Sequence, residues 1–125
     1  ILRGMKTNNI QLIGVLGFDP EIREIAKGRL VARFSLMTKD RYVNMDGANV
    51  EDTQWHTIVA WGSVADQVHK FLRKGSCIHL QGRLVHRSYT AKDGITKRYM
   101  TEIVMSEFTL TTTIENEAEQ GQSSR

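Results

Sequence analysis

The sequence predicts an all-β protein: a five-stranded Greek-key barrel with one helix between its third and fourth strands and extended hairpin loops. Three observations lead there. Apolar residues alternate with a period of two in several segments, clearest in "GRLVARFSLMTKD", where Leu30, Ala32, Phe34 and Leu36 make an apolar row. Only one segment, "GSVADQVHKFLRKG", repeats its apolar residues at helical spacing, with Val64, Val68, Phe71 and Leu72 on one side. Glycines interrupt the first and fourth strand patterns, at Gly14 and Gly82, where a small coiled sheet needs bends in order to close.

Taken in order, "NNIQLIGVLG" opens with a strand carrying Ile10, Leu12, Val15 and Leu16, and Gly14 marks a bulge or bend in it. "GFDPEIR" reads as a turn built on Asp19-Pro20. The "GRLVARFSLMTKD" strand leads into residues 40–52, "DRYVNMDGANVED", whose Asp46-Gly47 marks the tip of a hairpin or long arm. The third strand is "TQWHTIVAWG". The helix follows, with Ser63 as its expected N-cap and Gly75 closing it after Arg73-Lys74. "SCIHLQGRLVHRSY" and "RYMTEIVMSEFTL" are the last two strands, joined by a tight hairpin at Asp93-Gly94. Strand, strand, strand, helix, strand, strand is the order of an OB-fold barrel. The domain is expected over residues 5–112, with Met5 as a natural start, and residues 113–125 as a short, polar, disordered tail.

Charge narrows the function. The chain of 125 residues has a net charge of +3 and a pI of about 9.2. Residues 1–112 hold 16 Lys and Arg against 11 Asp and Glu, a net of +5, while residues 113–125 hold three Glu and one Arg, a net of −2. A basic body favours an anionic partner. The single cysteine, Cys77, rules out an intrachain disulfide and any Cys-based zinc site. Apolar runs are only a few residues long, so no membrane span is predicted. No nucleophile elbow, HExxH, Walker A or dinucleotide fingerprint occurs, and His56, His69, His79 and His86 show no metal spacing; neither an enzyme nor a cofactor is expected.

The third strand holds the most informative pair. Trp55 and Trp61 are six residues apart, so both fall on one face with Thr57 and Val59, while His56, Ile58 and Ala60 turn the other way. Two flat side chains on one face either close a core or form a platform for unpaired bases, and the spacing alone allows both. His56 stands in an otherwise apolar row, so its ring needs a partner within the fold or across a subunit contact. Aromatic residues also recur beside cations. Tyr42 lies near Lys39 and Arg41, and Tyr89 follows Arg87 just before a basic hairpin with Lys92 and Arg98. Rings that stack on bases and cations that follow phosphates are the parts of a single-strand groove. By default, Arg33, Lys74, Arg83 and Arg87 are solvated charges and Phe34, Phe71 and Phe108 are packing residues.

The segments "NNIQLIGVLGFDPEIR", "VARFSLMT", "TQWHTIVAWG", "ADQVHKFLRKG", "IHLQGRL" and "DGITKRYMTEIV" together closely resemble the bacterial-type single-stranded DNA-binding proteins, whose mitochondrial relatives share the fold. The match covers residues 8–105. The resemblance implies a non-catalytic OB-fold, usually a homotetramer and alternatively a dimer, that wraps single-stranded DNA over aromatic and basic side chains in replication, recombination and repair. It places Trp55 and Trp61 at two platform positions, Tyr42 at the base of the arm, Tyr89 after the basic pair, and Lys74 in "RKG". Arg33, Lys39, Arg41, Arg83, Arg87, Lys92 and Arg98 are the cations expected to follow the strand. His56 falls near the family's subunit contact, with Ile10 and Leu12 as further expected interface residues. Members also carry a linker ending in an acidic, apolar-terminated tip that recruits replication and repair proteins. "EAEQGQSSR" has no such tip, and Glu115, Glu117 and Glu119 are a poor substitute. The expected setting is the bacterial cytoplasm, on the nucleoid, rather than the mitochondrial matrix. The alternatives are a primosome-type accessory protein that bridges replication proteins, and an RNA-binding OB module.

Overall fold

The computed structural model describes residues 7–111 of the 125; Met5 and the tail expected over 113–125 lie outside the described residues. Six strands and one helix follow in order: β1 (Ile10–Leu16), β2 (Glu21–Ala26), β3 (Arg29–Val43), β4 (Asn49–Trp61), α1 (Gly62–Phe71), β5 (Cys77–Thr90) and β6 (Lys97–Leu110). The sheet runs β1-β5-β6-β4-β3-β2, and a further β1–β3 pairing closes it on itself.

The strand β2 corrects the reading of "GFDPEIR" as a turn alone. Its residues are mostly exposed, with only Ile22 turned partly inward, and a bulge between Glu24 and Ala26 breaks the alternation that a sequence pattern needs. β1 pairs with β5 through Ile10–Val15, then switches to β3 at Val15 and Leu16, and β2 continues along β3. The two short strands are halves of one bent strand, and counted so the barrel has the five strands expected. A short parallel contact between β4 and β6, at Ile58–Ile103 and Val59–Val104, completes the closure.

Gly14 and Gly82 permit the tight approaches inside this barrel. A Cβ on Gly14 would stand 2.3 Å from the Met37 carbonyl oxygen, and one on Gly82 would stand 2.4 Å from that of Val104, beside the bulge at Gln81/Gly82. Both obstacles are backbone atoms locked in paired strands, so neither can move aside cheaply. Gly82→Ala is therefore expected to cost about 1–3 kcal/mol through overpacking. At 4–8 °C per kcal/mol for a domain this size, the fall in thermal midpoint is easily read by circular dichroism.

The core is formed by Leu16, Phe34, Leu36, Ile58, Ile78 and Leu80 with their neighbours, and α1 covers one end with Ala65 and Val68, joined by Leu72 at its C-cap. Two expectations for this segment are corrected. Ser63 is not the cap: it lies inside the first turn, the N-cap position is Trp61, and no side chain caps the helix. β4 passes directly into α1 through Gly62, whose φ of +59° is the left-handed conformation that glycine adopts freely. Phe71 falls off the Ala65–Val68–Leu72 stripe and is exposed, whereas Phe34 is buried and Phe108 packs on the core.

Both long hairpins form where expected. In the β3–β4 arm, the Asn44 side-chain oxygen accepts from the backbone N–H groups of Asp46 and Ala48, and Gly47 turns the tip at φ +80°. At the β5–β6 tip, the Thr96 hydroxyl and the backbone N–H groups of Thr96 and Ile95 donate to Asp93 and hold its carboxyl down, to about 2.

Candidate nucleic-acid interface

Strand register decides which expected residues share a surface. In the β3–β4 ladder Val31 pairs with Trp61, Arg33 with Val59, Met37 with Trp55 and Arg41 with Glu51, so these side chains form one row. The parallel contact of Val59 with Val104 carries that face onto β6, where Glu102 lies one alternation away. The pairs Val85–Glu102, Arg87–Met100 and Tyr89–Arg98 extend it along β5. Trp55, Trp61, Arg33, Lys39, Arg41, Arg83, Arg87, Tyr89 and Arg98 thus occupy a single continuous face. Tyr42 pairs with Val50 in the opposite row, beyond Thr38 and His56, so it stands on the other side of the arm. Lys92 lies in the β5–β6 tip, and Lys74 in the turn after α1.

Trp55 is 55% exposed and Trp61 38% exposed. The closed core does not need either ring, and both present surface to solvent. Trp55 lies across Gly17, where a Cβ would come within 2.5 Å of the ring, and the Phe18 ring stands 6.4 Å away, tilted by 36°. Trp61 has the Arg87 guanidinium 6.0 Å from its ring centroid, at the outer limit of a cation–π contact. Together with Glu21, Arg23, Ile25, Val31 and Arg33 they line a groove of 340 Å³, in which Glu21 is paired with Arg23.

Behind this groove is a residue that the sequence reading passed over. Glu102 is buried, its side chain fully closed from solvent, and it holds both arginines. Arg33 Nη1 donates to Oε2 at 2.6 Å. Arg87 Nε stands 3.0 Å from Oε1 as an ion pair, but without the alignment of a hydrogen bond. The two arginine side chains are still 43% and 45% exposed, so each can meet solvent or a ligand on its outer side. Arg33 and Arg87 are therefore anchored cations rather than free solvated charges. The signal was present in "YMTEIVM", where a lone acid interrupts an apolar strand on the tryptophan side.

Other cations are held more loosely or not at all. Glu51 lies 3.8 Å from Lys39 and 3.4 Å from Arg41; Glu51 and Arg41 are exposed and Lys39 is half-buried. Such pairs are worth about 0–1 kcal/mol and give way readily to a phosphate. Lys74, Arg83, Lys92 and Arg98 have no ion-pair partner among the described residues. His56 finds its partner inside the fold, with Nε2 2.9 Å from the Thr38 hydroxyl. Ile10 and Leu12 are half-buried against the core, while Ile13 of the same strand is exposed. Among the described residues no cluster of His, Cys, Asp and Glu has the makings of a metal site, and no helix is long and apolar enough to cross a membrane.

An OB-type barrel with exposed aromatic rings and cations on one face has the form of a module for unpaired nucleic-acid strands. The chain belongs to the single-strand binding protein family, whose model matches residues 7–111. It is 43% identical over 100 residues to single-stranded DNA-binding protein 1 of Chlorobaculum tepidum, covering 80% of this chain and 62% of that one. It is 44% identical over 101 residues to the protein of the same name from Xylella fastidiosa, covering 80% and 74% respectively. The chain thus spans less than two thirds of the Chlorobaculum relative. Among solved structures, the Plasmodium falciparum SSB in complex with single-stranded DNA aligns with a TM-score of 0.77 and 30% identity over 86% of this chain and 96% of that one.

Proposed function

We propose that this chain binds single-stranded DNA, catalyses no reaction, needs no cofactor, and coats strands exposed in replication, recombination and repair. The carrying observation is the pair of exposed tryptophans on a face that also bears Arg33, Lys39, Arg41, Arg83, Arg87, Tyr89 and Arg98. Stacking takes any base and guanidinium takes any phosphate, so sequence preference is weak. Duplex DNA keeps its bases stacked inside and offers the rings nothing. Fluorescence anisotropy with a labelled oligothymidine, a duplex and an oligouridine of equal length tests the reading. Tight binding of the oligothymidine alone supports it; equal or stronger binding of duplex or RNA contradicts it.

The assembly we propose is a homotetramer built around β1, in a bacterial cytoplasm. β1 pairs with β5 on one side, but among the described residues Ile10–Gly14 have no strand on the other, an open edge with Ile13 exposed beside it. Open edges invite pairing with another chain. Gln11→Pro removes a donor from that strand, and Ile13→Lys puts a charge on its outer face. The double variant is expected to sediment as a smaller species than wild type at micromolar concentration. Unchanged mass would move the contact elsewhere.

A further inference from the structure

The turn between β1 and β2 carries an aromatic ring outside the expected set. Phe18 is 64% exposed, and its neighbour Trp55 is 55% exposed. Isolated exposed apolar side chains are ordinary. This one stands beside a second ring. The absence of a Cβ at Gly17 lets the Trp55 ring lie on the turn backbone, which brings the Phe18 centroid to 6.4 Å at a 36° tilt. At that tilt the rings meet without stacking face to face on each other.

The turn itself is pinned from two sides. Leu16 N–H donates to Ser76 O at 3.0 Å and Gly75 N–H to Leu16 O at 2.8 Å, while Gly17 N–H donates to Ser35 O at 3.3 Å. Asp19 accepts from the backbone N–H of Lys74 at 2.8 Å. That last bond brings Lys74 to the turn that carries Phe18, and the lysine has no ion-pair partner among the described residues. Two exposed rings on a pinned turn, with the Lys74 backbone bonded to that turn, offer a π surface and a phosphate contact at a reduced ordering cost on binding.

We propose that Phe18 contacts DNA: it carries an unpaired base next to the one on Trp55, and Lys74 meets a phosphate of that step. This rests on the single-strand reading above. The test compares oligothymidine affinity for wild type and for Phe18→Ala, Phe18→Leu and Phe18→Tyr, each checked for an unchanged circular-dichroism melt. Leucine keeps apolar cover over Trp55 but has no ring face; tyrosine keeps the face. The Ala and Leu variants are expected to bind about tenfold more weakly, in the range of one stacked base, and Tyr to stay within about twofold of wild type. A Leu variant that binds like wild type, or a Tyr variant as weak as Leu, overturns the proposal. Trp55→Ala serves as the reference. If it weakens binding while Phe18→Leu does not, only the Phe18 assignment fails; if wild type does not bind the strand, the functional reading fails with it.

Discussion

Replacing Trp55 and Trp61 together by alanine is expected to weaken single-strand binding by roughly 30- to 20,000-fold. One base stacked on one ring is worth about 1–3 kcal/mol, and each 1.4 kcal/mol is a factor of ten. The two rings are six residues apart on one strand, about 20 Å at 3.3 Å per residue, so their contributions should add. The fold should survive the change. Both rings already keep a large part of their surface in water, 55% and 38%, so truncation forfeits only part of the ~3–5 kcal/mol that Trp→Ala costs at a buried site. Anisotropy with labelled oligothymidine and a thermal melt, run on the same preparation, separate the two effects. An unfolded variant would make the rings structural; a folded variant with wild-type affinity would remove them from the binding face.

The Arg33→Ala/Arg87→Ala double variant is expected to lose about 3–5 kcal/mol of stability, far more than two surface substitutions normally cost. The penalty comes from Glu102, not from the arginines. Each arginine side chain is more than a third exposed, and an exposed ion pair contributes little. The carboxylate, by contrast, is fully buried, and Arg33 and Arg87 are its only ion-pair partners among the described residues. Removing both strands a charge in the interior. Either single variant should cost much less, because one guanidinium remains. Adding Glu102→Gln to the double variant should restore most of the stability without restoring DNA affinity. Urea denaturation of wild type and the four variants checks this, and a double variant as stable as wild type would contradict it. Any role of Arg33 or Arg87 in strand binding is best measured in the Glu102→Gln background, where loss of fold and loss of contact no longer coincide.

The barrel was legible because its central strands obey one rule. Leu30, Ala32, Phe34 and Leu36 alternate cleanly, and Gly14 and Gly82 lie where the structure brings backbone against backbone. What escaped were features set by tertiary context. β2 lies at an exposed margin and carries a bulge, so hydrophobic burial left almost no pattern in it. Ser63 had the chemistry of a cap, but β4 runs into α1 with only Gly62 to turn on. For the candidate site, the tryptophan spacing placed Trp55 and Trp61 on one face without any knowledge of pairing. Tyr42 was grouped with them through its basic neighbours, yet register puts it in the opposite row. Glu102 and Phe18 were missed because their significance comes from residues distant in sequence: Arg33 is 69 positions from Glu102, and the ring beside Phe18 belongs to β4.

The most direct measurement is a tryptophan-fluorescence titration with a long oligothymidine and a matched duplex, at low and high salt. Strong quenching by the single strand alone is expected, because bases stack on Trp55 and Trp61, with part of the affinity lost in salt as phosphate contacts are screened. Absence of quenching, or an equal response to the duplex, would contradict it and leave the tryptophan face as a surface for some other partner.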